Sequence, residues 1–144
     1  MTHITLSNAK LTLEGAEAVV SAAKGHAARI GVPMNIAVVD DGGHLMAFAR
    51  MDGAKLSSID IAINKAVAAA IRRSPTGPAG TGDQVNLLLS LSLAIASKAQ
   101  QTPLRGGLPL EVRGQCVGAI GVSAGTEDQD VEVARGGAEI LDKP

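Results

Sequence analysis

The side chains able to do chemistry in this chain are cations, imidazoles and carboxylates. The cations are Arg50, Lys65, Arg72 and Arg105, the last standing directly before Gly106-Gly107. Guanidinium and ammonium groups beside free glycine amides suit a carboxylate, so Arg50, Lys65, Gly106 and Gly107 are candidate contacts for a small anionic ligand. The plain alternative for each is a surface charge or a turn. His26 and His44 are candidate ligands to a cofactor or general bases near neutral pH, with His3 further from any motif. No two histidines have metal-site spacing, and Asp40-Asp41-x-x-His44 is explained equally well by a turn, so no metal site is assigned. Among the carboxylates, Asp40, Asp41, Asp52 and Glu111 stand at or near strand ends. If the protein is a cofactor-free enzyme, proton transfer on a small carboxylated or carbonyl substrate would fall to Arg50, Asp52 and Lys65. Cys116 reads as a strand thiol, buried and inert.

The elements that must position these groups centre on Asn35 to Ala54. An apolar run (Ile36 to Val39) meets Asp41-Gly42-Gly43 and resumes from Leu45 to Ala49, the pattern of a β-hairpin. Alternation puts His44, Met46, Phe48 and Arg50 on one face and Leu45, Ala47, Ala49 and Met51 on the other. Neither face is polar, so helices or another subunit must cover both. A second hairpin is expected from Leu108 to Val112, an Arg113-Gly114 turn, and Cys116 to Ser123. Its last strand carries Val117, Ala119 and Gly121 on one side, which leaves room for a close neighbour.

Helical spacing accounts for most of the rest. Ala16, Val19, Val20, Ala23, Ala27 and Ile30 form an apolar stripe within Ser7 to Ile30, stopped by Gly31 and Pro33. Ser57 and Asp60 look like a capping box ahead of a helix whose apolar face is Ile59, Ile63, Ala66, Val67 and Ala70, with Lys65 and Arg72 on another face. Ser74 to Gly82 is a breaker-rich loop. Asn86 to Ala99 reads as a helix, although its leucine run could also pass for a buried strand. Thr126 and Gln129 form a capping box for a terminal helix through Leu141, with Glu127, Asp128 and Asp130 complementing its dipole.

Composition narrows the function classes. A chain of 144 residues is read as one domain, 1–144. With 13 basic and 14 acidic residues, no charge excess argues for nucleic acid or an anionic membrane. One Phe and no Tyr or Trp argue against stacked nucleobase or sugar ligands. One cysteine excludes an internal disulfide and fits a reducing compartment. The longest apolar-leaning run is too short to span a bilayer, and Met1 to Lys10 lacks the pattern of a signal peptide, so a cytoplasmic protein is expected.

The stretches AVVDDGGHLMAFARMDGA, SIDIAINKAVAAA, Pro75-Thr76, GGLPL from Gly106 and GAIGVSAGTEDQDVEVARGG occur here in one order and spacing. In that series the chain resembles the GlcG/HbpS-like family, which also occurs as the C-terminal domain of PduO-type cobalamin adenosyltransferases. The resemblance implies an α/β (α+β) fold, an antiparallel sheet of two hairpins flanked by helices in a profilin-like three-layer arrangement. It also implies a homo-oligomer, with octamers among the forms, and haem or related tetrapyrrole binding in several members. Thr76 joins His26, His44, Arg50, Lys65, Gly106 and Gly107 as a cofactor-binding candidate through that match. The leading expectation is a haem or anionic-cofactor binding protein in haem handling, redox sensing or catabolism. A purely structural or interaction module is compatible with it.

Overall fold

A computed structural model describes residues 3–142. In chain order the elements are α1 (Leu13–Ile30), β1 (Asn35–Asp40), β2 (Leu45–Arg50), α2 (Ile59–Arg72), β3 (Gly80–Thr81), β4 (Gln84–Val85), α3 (Leu87–Ala96), β5 (Gly107–Val112), β6 (Gln115–Ser123) and α4 (Glu127–Ala138). The two apolar hairpins join edge to edge as a four-stranded sheet in the order β2-β1-β6-β5, each neighbour antiparallel. Both faces carry helices from within the chain. Ile36, Val38, Ile120 and Val122 pack under α1 and α4, whereas Ala37, Val39 and Ala119 pack under α2. Burying a Val or Ile side chain contributes about 1.5–3 kcal/mol, so this central pair of strands anchors the fold. The result is the expected α+β architecture, with helices performing the shielding that another subunit could also have supplied.

The small face of β6 explains how close α2 comes. A Cβ at Gly121 would collide with the Ala62 carbonyl and the Ala66 amide of α2, so glycine there lets helix and sheet touch backbone to backbone. The expected neighbour of that face is therefore a helix.

Several boundaries differ from expectation. Helix α1 begins at Leu13 because Thr12 caps it, its side chain accepting from Gly15 N. Ser57 and Asp60 form no capping box: a 3-10 turn, Leu56–Ser58, leads into α2, and the Ser58 cap makes no side-chain bond. The Thr126–Gln129 box does form. In the first hairpin, Ala47 pairs with Val38 but Leu45 with Val39, so a bulge at Met46 moves Leu45 onto the same face as Phe48 and Arg50. The leucine run is the helix α3, capped by the Asn86 side chain. It does not enter the core. Of its buried positions there is only Ser90, whose hydroxyl is tied to Ala79 and Asn86 at the base of the arm that carries it. Among the described residues no helix is long and apolar enough to cross a membrane.

Candidate functional site

Four of the candidates converge beneath the β5 margin. Lys65, on the sheet-facing side of α2, is 2% exposed. Its Nζ donates to Asp130 Oδ2 at 2.8 Å and to the Val122 carbonyl at 2.9 Å. Asp130 Oδ1 in turn accepts from Gly125 N at 3.0 Å, so the carboxylate ties α4 to the loop before it and to α2. Gly106, with φ +124°, lies against this pair: an added Cβ would stand 2.7 Å from the Val122 carbonyl and 3.0 Å from Lys65 Nζ. Next to it Thr76 Oγ1 accepts from Gly107 N at 2.9 Å, and Thr76 N donates to the Gly107 carbonyl at 3.0 Å. Lys65, Thr76, Gly106 and Gly107 thus form one buried node in which the Lys65 ammonium and the Gly107 amide are engaged within the chain. Asp130 supplies its counter-charge, a role that the reading of Asp130 as a helix-starting acid missed.

Arg50 and Asp52 lie elsewhere. Arg50 is exposed at the end of β2, paired in register with Asn35, which in turn pairs with Ser123. Asp52 is exposed in the turn before Gly53. The three side chains of the proton-transfer reading therefore share one end of the sheet, but the ammonium is sealed beneath it. Asn35 is fully buried there; its Nδ2 donates to the Lys55 carbonyl at 2.8 Å, while its Oδ1 has no partner among the described residues. Arg105 pairs with Asp128 at 2.7 Å on the surface.

The two histidines contrast. His26 is half-buried against Gly136 of α4, with Nε2 3.2 Å from Glu132 and Nδ1 3.2 Å from the Arg29 guanidinium. Both ring nitrogens are engaged. The His44 side chain is 83% exposed, and its Nδ1 lies 3.3 Å from Asp40 Oδ1. That carboxylate also accepts from the backbone amides of Gly42 and His44, each at 2.9 Å. Burial alone would raise its pKa; the amide hydrogen bonds and the adjoining imidazole outweigh burial and hold it below its ordinary value. A carboxylate facing Nδ1 favours the tautomer protonated there, which turns the Nε2 lone pair outward. Two cations reach the same turn: Lys10 pairs with Asp41 at 3.0 Å, and Arg73 donates to the Asp41 carbonyl. Neither was a candidate from sequence, because both come from segments distant along the chain. Cys116 is half-buried, its thiol 3.3 Å from the Gly118 carbonyl and 3.6 Å from the Arg73 guanidinium.

Fold and site together define a three-layer α+β domain with a buried lysine–aspartate node and an exposed histidine on its first hairpin. The chain belongs to the family described as haem degrading protein HbpS-like, whose model matches residues 11–139. Protein GlcG of Escherichia coli (strain K12) is 38% identical over 113 residues, covering 78% of this chain and 81% of that protein. The crystal structure of Klebsiella pneumoniae protein ORFY superposes with a TM-score of 0.89 at 29% identity, covering 100% of this chain and 99% of that one. A double mutant of Streptomyces reticuli HbpS superposes with a TM-score of 0.77 at 32% identity, covering 98% and 93%.

Proposed function

We propose that this protein binds haem or a closely related anionic tetrapyrrole at the first hairpin, with His44 as the axial ligand, in a haem-handling role. The membership in a family described by haem and HbpS supports the ligand class. The observation that carries the location is the Asp40–His44 pair, since an imidazole backed by an ionised carboxylate is oriented for ligation through its other nitrogen. The residues fit the group chemically. Leu45, 52% exposed, offers an apolar contact beside the imidazole, and Lys10 and Arg73 bring positive charge for propionates. Four clefts of about 370, 330, 290 and 250 Å³ have no histidine in their walls among the described residues; a ligand held by His44 lies on the surface or between copies of the chain because that side chain is 83% exposed. Bound haem would supply an iron centre for redox chemistry. The chain's own part is to present Nε2, to hold Asp40 ionised behind it and to match the carboxylates with cations.

Titrating haemin into the protein should give a saturable Soret shift at fixed stoichiometry. His44→Ala should abolish the shifted band, whereas His26→Ala should leave it in place. A linear, unsaturable response refutes the ligand, and loss of the band in His26→Ala alone refutes the axial assignment.

The same reading includes assembly into a homo-oligomer, supported by a quantity of exposed aliphatic surface that single chains in water rarely carry. The particular surface is argued next.

A further inference from the structure

We infer that α3 is the assembly helix of this protein and that it docks on a second copy of the same chain, in the groove between α2 and β2; this rests on the homo-oligomer reading above. The helix, LLLSLSLAIA, contains no charged residue. Leu87, Leu88, Leu89, Leu91 and Ile95 are between 44% and 78% exposed, around most of its circumference. A helix apolar all round is stable in water only when covered. Together with Val85 beside it, this is on the order of 600 Å² of aliphatic surface, the upper end for one patch on a monomer and close to what each partner contributes to a stable interface.

The rest of the molecule has the matching vacancy. Two helices, α1 and α4, cover one face of the sheet, whereas α2 alone covers the other and lies over β1, β5 and β6. One helix is about 10 Å wide and four strands about 15 Å from first to last, so a flank remains. Its floor is Leu45 and Phe48 of β2, brought to one face by the bulge at Met46. Its wall is the row Ile59, Ile63, Val67 and Ile71, spaced four apart along α2. Phe48 and Ile63 are only partly buried, and Leu45 and Ile71 are 52% and 42% exposed.

The chain thus exposes both a helix without a cover and a sheet flank without a helix. Its own arm leaves at the opposite margin, since Thr76 is bonded to Gly107 on β5. A two-fold axis running along the strands between two facing α2 layers sets the β5 margin of each copy over β2 of the other. Both arms then fill both grooves. An uncharged helix meets its copy without like-charge repulsion, and it offers a foreign partner no charge to recognise.

Sedimentation of the full chain should give a multiple of 14.5 kDa at micromolar concentration, and Leu88→Glu with Ile95→Glu should reduce it to a single-chain mass with unchanged far-ultraviolet circular dichroism. In a Cys116→Ser background, mixing Leu91→Cys protein with Ile63→Cys protein should give a disulfide-linked pair under oxidation. A single-chain mass for the unaltered protein overturns assembly itself, and co-sedimentation of that monomer with phosphatidylcholine vesicles would assign α3 to a lipid surface. A multimer untouched by the α3 substitutions leaves assembly standing and overturns the role of α3. Pairs formed only by Leu91→Cys with itself overturn the groove.

Discussion

Replacing Asp130 by Asn tests whether the buried node holds the layers together. The substitution keeps the size of the side chain and an oxygen for the Gly125 amide, but removes the counter-charge paired with an ammonium that is 2% exposed. Taking away one partner of a buried pair costs about 3–5 kcal/mol, because the remaining ion is left in a poor solvent. The Val122 carbonyl at 2.9 Å still accepts one hydrogen bond from Lys65, while the single amide oxygen stays with Gly125 N, so the lower end, about 3 kcal/mol, is expected. Against a usual stability of about 5–15 kcal/mol this is a large share, and for a chain of this length it lowers the melting temperature by about 10 °C. With no Trp or Tyr for fluorescence, urea unfolding is followed by circular dichroism at fixed protein concentration, since the assembly proposed above would make the midpoint concentration-dependent. Adding Lys65→Met to Asp130→Asn should recover at least half of the loss, because the stranded charge is then gone. A cost below about 1 kcal/mol for Asp130→Asn, or a double variant as unstable as the sum of the two single ones, refutes the reasoning.

Two other outcomes follow from particular contacts. Gly121→Ala places a methyl group against the Ala62 carbonyl and Ala66 amide, which are backbone atoms and cannot swing away, so α2 must lift and stability should drop by about 3 kcal/mol in the same urea assay; an unchanged midpoint would mean that the layers are not in contact there. Asp40 has a carboxyl pKa held below its ordinary 3.8, so its contribution is fully present above that pH and is lost as pH falls through the lower folded value. The side chain is more than a third exposed, and solvent screening keeps the effect under about 1 kcal/mol. Asp40→Asn should therefore flatten the acid limb of the stability curve below about pH 4, and an acid limb identical in both proteins would refute it.

Much of the site was legible in principle from two helix stripes. Lys65 shares the stripe of Ala62, Ala66 and Ala69, and Asp130 that of Val133, Ala134 and Gly137, so each charge falls where its helix is buried. One lone charge on an apolar stripe is ambiguous. Two of opposite sign point to each other, and only the assumption that acids early in a helix serve its dipole concealed the match. The cations at the His44 turn had no such signal, because Lys10 precedes α1 and Arg73 follows α2, and nothing local ties either to Asp41.

Local rules therefore settled the elements: the hairpin turns, the Thr126–Gln129 box, the alanine stripes and the family series are written in short-range spacing, where each residue's neighbours are known in advance. What folding alone decided was which groups are spent on one another. The sequence made Lys65, Gly106 and Gly107 look like an open anion site and left the leucine run readable as a helix or as a buried strand. Long-range packing put Asp130 against the ammonium, closed Thr76 onto Gly107 and left α3 in water, because burial depends on what arrives from distant parts of the chain.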